Sequence, residues 1–593
     1  MSNFLKILFG SCLGTILGLV ALVLIGSAIV GGLASSVEQE PEVKSNSILT
    51  LDLSGLPELT GNSSDGDPFA SLRGDEQLGL HDMIRALRAA REDDDIKGLF
   101  LGNEPAGVPL TTLRSLREAV LDFKASGKFV VAYSPYYTQS AYYLATAADE
   151  VYMGPLGIVD FRGLGSQIPF FKEMLDKIGV RFEIFYAGDY KSATEPLRRT
   201  SMSPENREQT KEFLTDLFAV MLTDISEARN ISRGELFRAA SDMTGYKEEE
   251  AVSAGLIDGI RHRTEIDKLL HEKVGFDDDE SLRTIGLNTY FSARLDRLRG
   301  GDDEVAVLFA EGGIVDGGGS LGSIGDKKYV NELEALTEDD NVKAVVLRVN
   351  SGGGSASSSE NIWYAVERLK AAGKPVVVSM GDYAASGGYY IAAGADSIFA
   401  EPTTITGSIG VFLTFPIVKD LMEDKLGIRF DTVNTARNAT GLSPFQELSA
   451  EEKALLTQRT QSIYGTFLQR VADGRNLPVE RVREIAGGRV YSGSRAKSLG
   501  LVDQLGGLDE AVASAARLAN LGDEFEIGHY PRTKPAWEAF LEEIMGTDDA
   551  TDPVVGKVMK EQLGPRNYEY FELMRDLTKV QEPQARLPMI VTF

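Results

Sequence analysis

The sequence predicts an α/β chain in which two related copies of one unit follow an apolar amino-terminal segment. Three observations carry that expectation: a long-period internal repeat, continuous apolar strands alternating with helices, and an uncharged stretch near the amino end. The repeat is the strongest of them. Residues 96–107 (IKGLFLGNEPAG), 127–131 (GKFVV), 142–152 (YYLATAADEVY) and 178–197 (IGVRFEIFYAGDYKSATEPL) return as residues 342–353 (VKAVVLRVNSGG), 373–378 (GKPVVV), 389–399 (YYIAAGADSIF) and 426–445 (LGIRFDTVNTARNATGLSPF). The offset is 246 residues for the first two blocks, 247 for the third and 248 for the fourth. Single-residue gaps therefore keep about 100 residues in register, and a repeat of this length sets the architecture.

Taken in order, residues 7–34 carry no charge. As a helix they would reach about 42 Å, enough to cross a hydrocarbon core of about 30 Å. Lys6 and the free amino terminus precede the stretch, and Glu38, Glu40 and Glu42 follow it. That asymmetry points to an amino end in the cytoplasm and everything after residue 35 outside. A cleaved signal peptide is the competing reading, but its apolar region normally runs about 7–15 residues, so residues 1–35 are expected to stay as an anchor. Residues 36–46 are polar and read as a linker.

Residues 47–53 (SILTLDL) then read as a strand, with 304–310 (EVAVLFA) as the counterpart. After each comes a polar or Gly-rich loop (57–79; 312–325) and an amphipathic helix ending near residues 93–95 or 339–340. A strand (98–101; 344–349), a helix (110–125; 357–372) and another strand (129–133; 375–380) complete the pattern. Apolar strands separated by helices of about 10–16 residues imply a parallel sheet covered on both faces. Helix-rich stretches (204–228; 450–473) close the copies, residues 277–301 form the junction, and the chain after Gly506 is helical and charged. The copies are set at 47–300 and 301–593.

At 593 residues, two copies of about 250 fit the usual domain size. A net charge of −27 argues against nucleic acid or an anionic lipid surface as partner. Cys12, the only cysteine, lies in the apolar stretch, so there is no intramolecular disulfide, Cys-based zinc site or cysteine nucleophile. His81, His262, His271 and His529 fall outside every repeat block and show no metal-ligand spacing. A Ser-His-Asp triad is left possible only in principle.

The copies differ at two reactive positions. Ser386-Gly387-Gly388 falls where the first copy has Ser140-Ala141, without the glycine pair; Lys191 falls where the second copy has Ala439. Each copy holds what the other lacks, so a composite site must draw on both. A serine opening a helix is ordinarily an N-cap worth about 1 kcal/mol. The glycines behind Ser386 change that reading, because they admit a close peptide and leave backbone N–H groups near the hydroxyl. The turn 350–355 (NSGGGS) can present further N–H donors to a developing oxyanion, and it lacks the Gly-Lys-Ser/Thr ending of a phosphate loop. Lys191 is ordinarily read as a solvated surface residue. It can serve as a base if burial lowers its pKa from about 10.4 toward neutrality.

In combination, YKSATEP (190–196), ASGGYY (385–390), NSGGG (350–354) and TGSIGVF (406–412) resemble the motifs of the signal peptide peptidase A family in its long tandem form. The resemblance covers nearly the whole chain after the anchor. It implies a membrane-bound serine protease with a Ser-Lys dyad, on a fold similar to Clp protease and crotonase, that clears signal peptides left in the membrane after secretion. Its nucleophile falls on Ser386, its general base on Lys191 and its lysine-orienting serine on Ser408. The oxyanion donors fall among Gly353, Gly354 and Gly387. That family's loop usually reads Ser-Pro-Gly-Gly, and Gly352 here replaces the proline. The resemblance also implies a homotetramer at the inner membrane, single-pass, with both copies on the periplasmic side, acting on apolar peptides without metal or cofactor. Two other readings stay open at this point: a crotonase-like enzyme of acyl thioesters, and a non-catalytic membrane scaffold.

Overall fold

The computed structural model describes residues 42–51, 53, 56–60, 77–102, 107–275, 281–294, 303–320, 322–522, 524–532 and 584–586. The uncharged stretch 7–34 lies outside them, and among the described residues no helix is long and apolar enough to cross a membrane.

Each copy builds one sheet, parallel throughout in the first copy and parallel in the second except at one edge pair. In the first, β1 (Ser47–Thr50), β2 (Ile96–Leu101), β3 (Phe129–Ser134), β4 (Glu150–Met153), β6 (Gly259–Ile260) and β7 (Thr284–Gly286) run in the order β6-β4-β3-β2-β1-β7. In the second, β8 (Glu304–Glu311), β11 (Val342–Ser351), β13 (Val376–Ala385), β15 (Ile405–Gly407), β17 (Val490–Ser492) and β19 (Glu526–Tyr530) run in the order β17-β15-β13-β11-β8-β19, with β17 antiparallel to β15 and with β14 (Ser397–Ala400) also paired to β13. Apolar side chains on both faces explain why these strands lie inside. Val345, Leu347 and Val349 of β11 enter one core, and Ala344 and Val346 enter another on the opposite face. Helix Ala356–Ala371 covers the first with Ile362, Val366 and Leu369, and helix Leu508–Leu518 covers the second with Ala511, Val512 and Ala515. Each fully buried aliphatic side chain contributes about 1.5–3 kcal/mol.

The repeat is visible in detail. The long helices Pro204–Arg229 and Ala450–Arg475 end alike, Arg229 pairing with Asp258 and Arg475 with Asp503. Two regions depart from the expected pattern. The loop 312–325 holds two short strands, β9 (Gly313–Val315) and β10 (Ser323–Gly325), because Ile314 and Ile324 are both buried. The chain after Gly506 adds a strand as well as a helix: β19 pairs in parallel with β8.

The fourth repeat block is where the copies part. In the first copy it forms β5 (Arg181–Ala187), whereas residues 428–442 of the second copy form no strand and lie exposed. β5 instead crosses over and pairs antiparallel with β16 (Val411–Ile417), from Val411↔Ala187 to Ile417↔Arg181. A third sheet results, in the order β10-β9-β12-β20-β16-β5, with β12 at Gly353–Ser355 and β20 at Gln584–Arg586. It is built from both copies.

Buried polar contacts add to this docking. The Arg348 guanidinium of β11 gives Nε and Nη2 to the Glu58 carboxylate at 3.0 and 2.9 Å, and its Nη1 reaches Ser379 Oγ at 2.9 Å and Met380 O at 3.0 Å. Asp382 accepts from Thr112 N–H (3.0 Å) and Thr112 Oγ1 (2.6 Å) at the start of helix Leu110–Lys124. Removing one member of a buried, bidentate pair strands the other charge away from water. Glu58→Ala is therefore expected to destabilise the chain by about 3–5 kcal/mol. Denaturant titration followed by tryptophan fluorescence checks it, and a midpoint unchanged from the unaltered chain would refute it.

Candidate active site

Ser386 stands at the end of β13 with φ 57° and ψ −116°, a backbone conformation natural to glycine and costing a serine about 1–3 kcal/mol. Two bonds hold it there. Its N–H donates to Gly407 O (2.8 Å), and its carbonyl accepts from Tyr390 N–H (2.8 Å). The glycines behind it are required by space: a Cβ on Gly387 would lie 2.7 Å from Ser359 Oγ and 3.0 Å from Gly354 N, and one on Gly388 would lie 2.5 Å from Ser351 O.

Lys191 reaches this serine through the β5–β16 ladder. Since Ala187 lies opposite Val411, the chain leaving β5 and the chain entering β16 run side by side, which brings Lys191 to Ser408. Lys191 Nζ lies 2.7 Å from Ser386 Oγ, 3.0 Å from Ser408 O and 3.1 Å from Ser408 Oγ. All three residues are fully buried. Burial, with no carboxylate among the lysine's partners, holds the Lys191 amine well below its ordinary value of 10.5. A neutral amine has one lone pair and two N–H groups. That matches what surrounds it, one hydroxyl that can give a proton and two oxygens that can accept. The arrangement can move the Ser386 proton onto Nζ, which is the chemistry of an activated nucleophile.

Of the three glycines read as oxyanion donors, Gly353 gives its N–H to Ser351 Oγ (3.1 Å), in a turn with φ 95°. Gly354 N and Gly387 abut each other next to the serine. The short strand that Gly353 and Gly354 form, β12, is flanked by β20, whose Gln584 also pairs with Phe412 of β16.

Some of the surrounding residues escaped the sequence reading. The Lys191 loop is clamped by residues 487–490: Tyr190 N–H donates to Gly487 O (2.9 Å), and Gln209 Nε2 reaches Tyr190 O (3.0 Å) and Ser192 Oγ (2.9 Å) while its Oε1 accepts from Val490 N–H (3.1 Å). A Cβ on Gly188 would meet Gly487 C at 2.3 Å, and one on Gly488 would meet Lys191 Cβ at 2.6 Å. A glycine pair present in the second copy, with Ser241 and Asp242 in the matching part of the first, was the available signal.

The histidines also hold a surprise. His81 and His529 meet at 3.0 Å, His81 Nε2 lies 3.2 Å from Asp509, and one ligand atom each from His81, Asp82 and His529 lie within 4.8 Å of one another. Burial and the neighbouring His81 push the His529 imidazole down to about 4. Spacing along the chain gives no hint of this meeting, because the residues that make it are far apart in sequence. His529 is on β19, three strands across the sheet from β13 and Ser386, and His81 and Asp82 come from the helix Leu80–Glu92 of the first copy. His262 caps, and His271 lies within, the helix Arg263–Val274 of the first copy, and the side-chain partner of Ser386 is Lys191.

Comparison with known proteins agrees with this chemistry. "Protease 4" of Haemophilus influenzae is 36% identical over 525 residues, covering 86% of this chain and 83% of that protein. "Protease 4" of Salmonella typhi is 35% identical, covering 81% and 78%. "Serine protease SPPA, chloroplastic" of Arabidopsis thaliana is 32% identical, covering 81% and 70%. Peptidase family S49 matches twice, at residues 122–277 and 368–522, one match in each copy. With both copies matched and relatives aligned along most of their length, the chain belongs to peptidase family S49 and is a serine protease.

Proposed function

We propose that the chain is a membrane-anchored endopeptidase of extended apolar peptides, cleaved signal peptides foremost, in which Ser386 is the nucleophile and Lys191 the general base. The observation that carries this reading is the 2.7 Å contact between a fully buried lysine and a serine held in strained backbone. Lys191 takes the hydroxyl proton as Ser386 Oγ attacks the scissile carbonyl, and returns it to the departing amine. The acyl-enzyme is then hydrolysed by a water that gives its proton to the same lysine. Ser408 fixes Nζ through its hydroxyl and its carbonyl, and the N–H groups of Gly354 and Gly387 serve the oxyanion. Residues 7–34 supply a single membrane span, with both copies on the extracytoplasmic side of the plasma membrane and four chains in the assembly. The recessed position of the dyad suits an unfolded chain. No metal takes part in these steps.

Ser386→Ala and Lys191→Ala should each lower the hydrolysis of a fluorogenic apolar peptide by about 10,000-fold, and the double variant should be no slower, because a nucleophile and its base act as one unit. A clearly slower double variant, or near-full activity in Lys191→Ala, would sink the assignment.

The pH dependence has a definite sign. Desolvation disfavours the charged amine, so the reactive neutral form persists above a depressed pKa and is lost as pH falls through it. The kcat/KM profile should rise along one basic limb centred well below 10.5, and replacing any histidine should leave that limb in place. A limb that disappears with a histidine counts against the lysine.

Removing residues 1–46 should give a soluble, active enzyme that spares folded proteins, while a fragment ending near Gly300 should be inert. Peptidase assays on the two products decide it, since a site drawn from both copies cannot survive the loss of one.

A further inference from the structure

We infer that the first copy aims the nucleophile as well as supplying its base, by filling a bulge in β13 that Asn350 holds in place as a positioning residue. The inference rests on the peptidase reading above. Val349 of β11 lies opposite Met380 of β13, and Ser351, two residues on, lies opposite Ala384, four residues on. β13 therefore carries two extra residues between these points. At the same place it changes neighbours: Val377 to Met380 pair with β14, and Tyr383 to Ala385 pair with β15. Beyond the bulge the strand ends at Ser386, whose N–H meets Gly407 O, and β15 runs on to Ser408, which holds Lys191 Nζ. A bulge beside an active site re-aims the side chain that follows it. Here it sets Ser386 against Ser408 and so against the lysine. The matching strand of the first copy, β3, stops at Ser134, the counterpart of Met380, and has no such extension.

Each residue of the bulge meets the first copy. A Cβ on Gly381 would lie 2.7 Å from Glu58 Oε1, the Asp382 carboxylate takes both bonds from Thr112, and Tyr383 packs against the apolar core built mainly by the first copy. Asn350 closes the arrangement from the second copy. Its Oδ1 accepts from Tyr383 N–H at 3.1 Å, and its Nδ2 donates to Glu58 Oε1 at 3.2 Å. The peptide N–H needs an acceptor and the carboxylate a donor, and an amide offers both in one side chain. Asn350 also opens the turn that carries Gly353 and Gly354. The next residue, Ser351, bears on the glycines behind the nucleophile, since a Cβ on Gly388 would lie 2.5 Å from Ser351 O. One side chain thus ties the nucleophile's strand and the turn beside it to a carboxylate that only the docked first copy brings. Displacing reacting groups by about 1 Å costs about 100-fold in rate.

The test compares the full-length chain in detergent with Asn350→Leu, Asn350→Asp and Thr112→Val. Denaturant titration fixes the folded fraction of each. Read per folded chain are kcat and KM on a fluorogenic apolar peptide and the rate at which a fluorophosphonate labels Ser386. Asn350→Leu removes both bonds at similar volume, and Asn350→Asp keeps an acceptor for Tyr383 but sets a second carboxylate against Glu58. Both should lower kcat and labelling by about 100-fold with KM within about twofold. Thr112→Val, which leaves the backbone bond to Asp382, should lower them by about tenfold. A residue that only stabilises the fold would move the unfolding midpoint and leave the rates per folded chain alone, and that result overturns the inference. Full activity of Asn350→Asp overturns the link to Glu58, and full activity of Thr112→Val the part given to the first copy. A raised KM at unchanged kcat places Asn350 in substrate binding and overturns the positioning. If the unaltered chain does not label at Ser386, the peptidase reading itself fails; if it labels and cuts while the Asn350 variants keep pace, only the positioning does.

Discussion

The antiparallel ladder between β5 and β16 is the constraint on which the site depends. It joins a strand of one copy to a strand of the other over residues 181–187 and 411–417, and its register alone sets which residues emerge together at its end. A slip of one residue would move the lysine by about 3.3 Å and turn every side chain of the strand to the other face. Both faces resist that. Phe185, Leu413, Phe415 and Ile417 pack with Leu448 and Leu456 on one, and Phe412 packs with Leu175, Ala193 and Leu197 on the other.

The same arrangement accounts for the state of the lysine. A solvated amine would stay charged, and a charged amine can take no proton from a serine. Water is kept away by backbone in place of bulky side chains: Gly188 rests on Gly487, and Gly488 rests on Lys191. Arg489 and Arg495 then tie the clamp to the helix Pro204–Arg229 through Glu208, Glu212 and Asp216. The charges stay at the rim, and the lysine's own surroundings hold hydroxyls and carbonyls.

Much of this was legible in the sequence because it is local. Apolar runs such as 342–349 declare buried parallel strands, and the helices at 204 and 450 begin within a residue of where the repeat puts them, each after a capping serine, Ser203 or Ser449. The separation of Lys191 from Ser386 between copies was visible as a difference between aligned blocks. What stayed hidden is long-range. Nothing in RFEIFYA says that its partner is VFLTFPI some 230 residues later, while the homologous block RFDTVNT forms no strand at all. The Gly353 N–H was read as free because its loop partner, the Ser351 hydroxyl two residues earlier, is a matter of turn geometry. The meeting of His81 with His529 and the pairing of β20 with β12 likewise follow from how whole elements dock.

The clamp on the lysine loop also sets a clock. Lys191 is positioned by residues as late as Val490, through Gln209 and Gly487. During synthesis at about 5–20 residues per second, the roughly 300 residues between them take about 15–60 s to appear. Over that interval the first copy can fold its own sheet, yet the lysine has neither its serine nor its dry surroundings and remains an ordinary protonated amine. The nascent chain is thereby harmless to its neighbours at the site of translation, with no propeptide needed to keep it so.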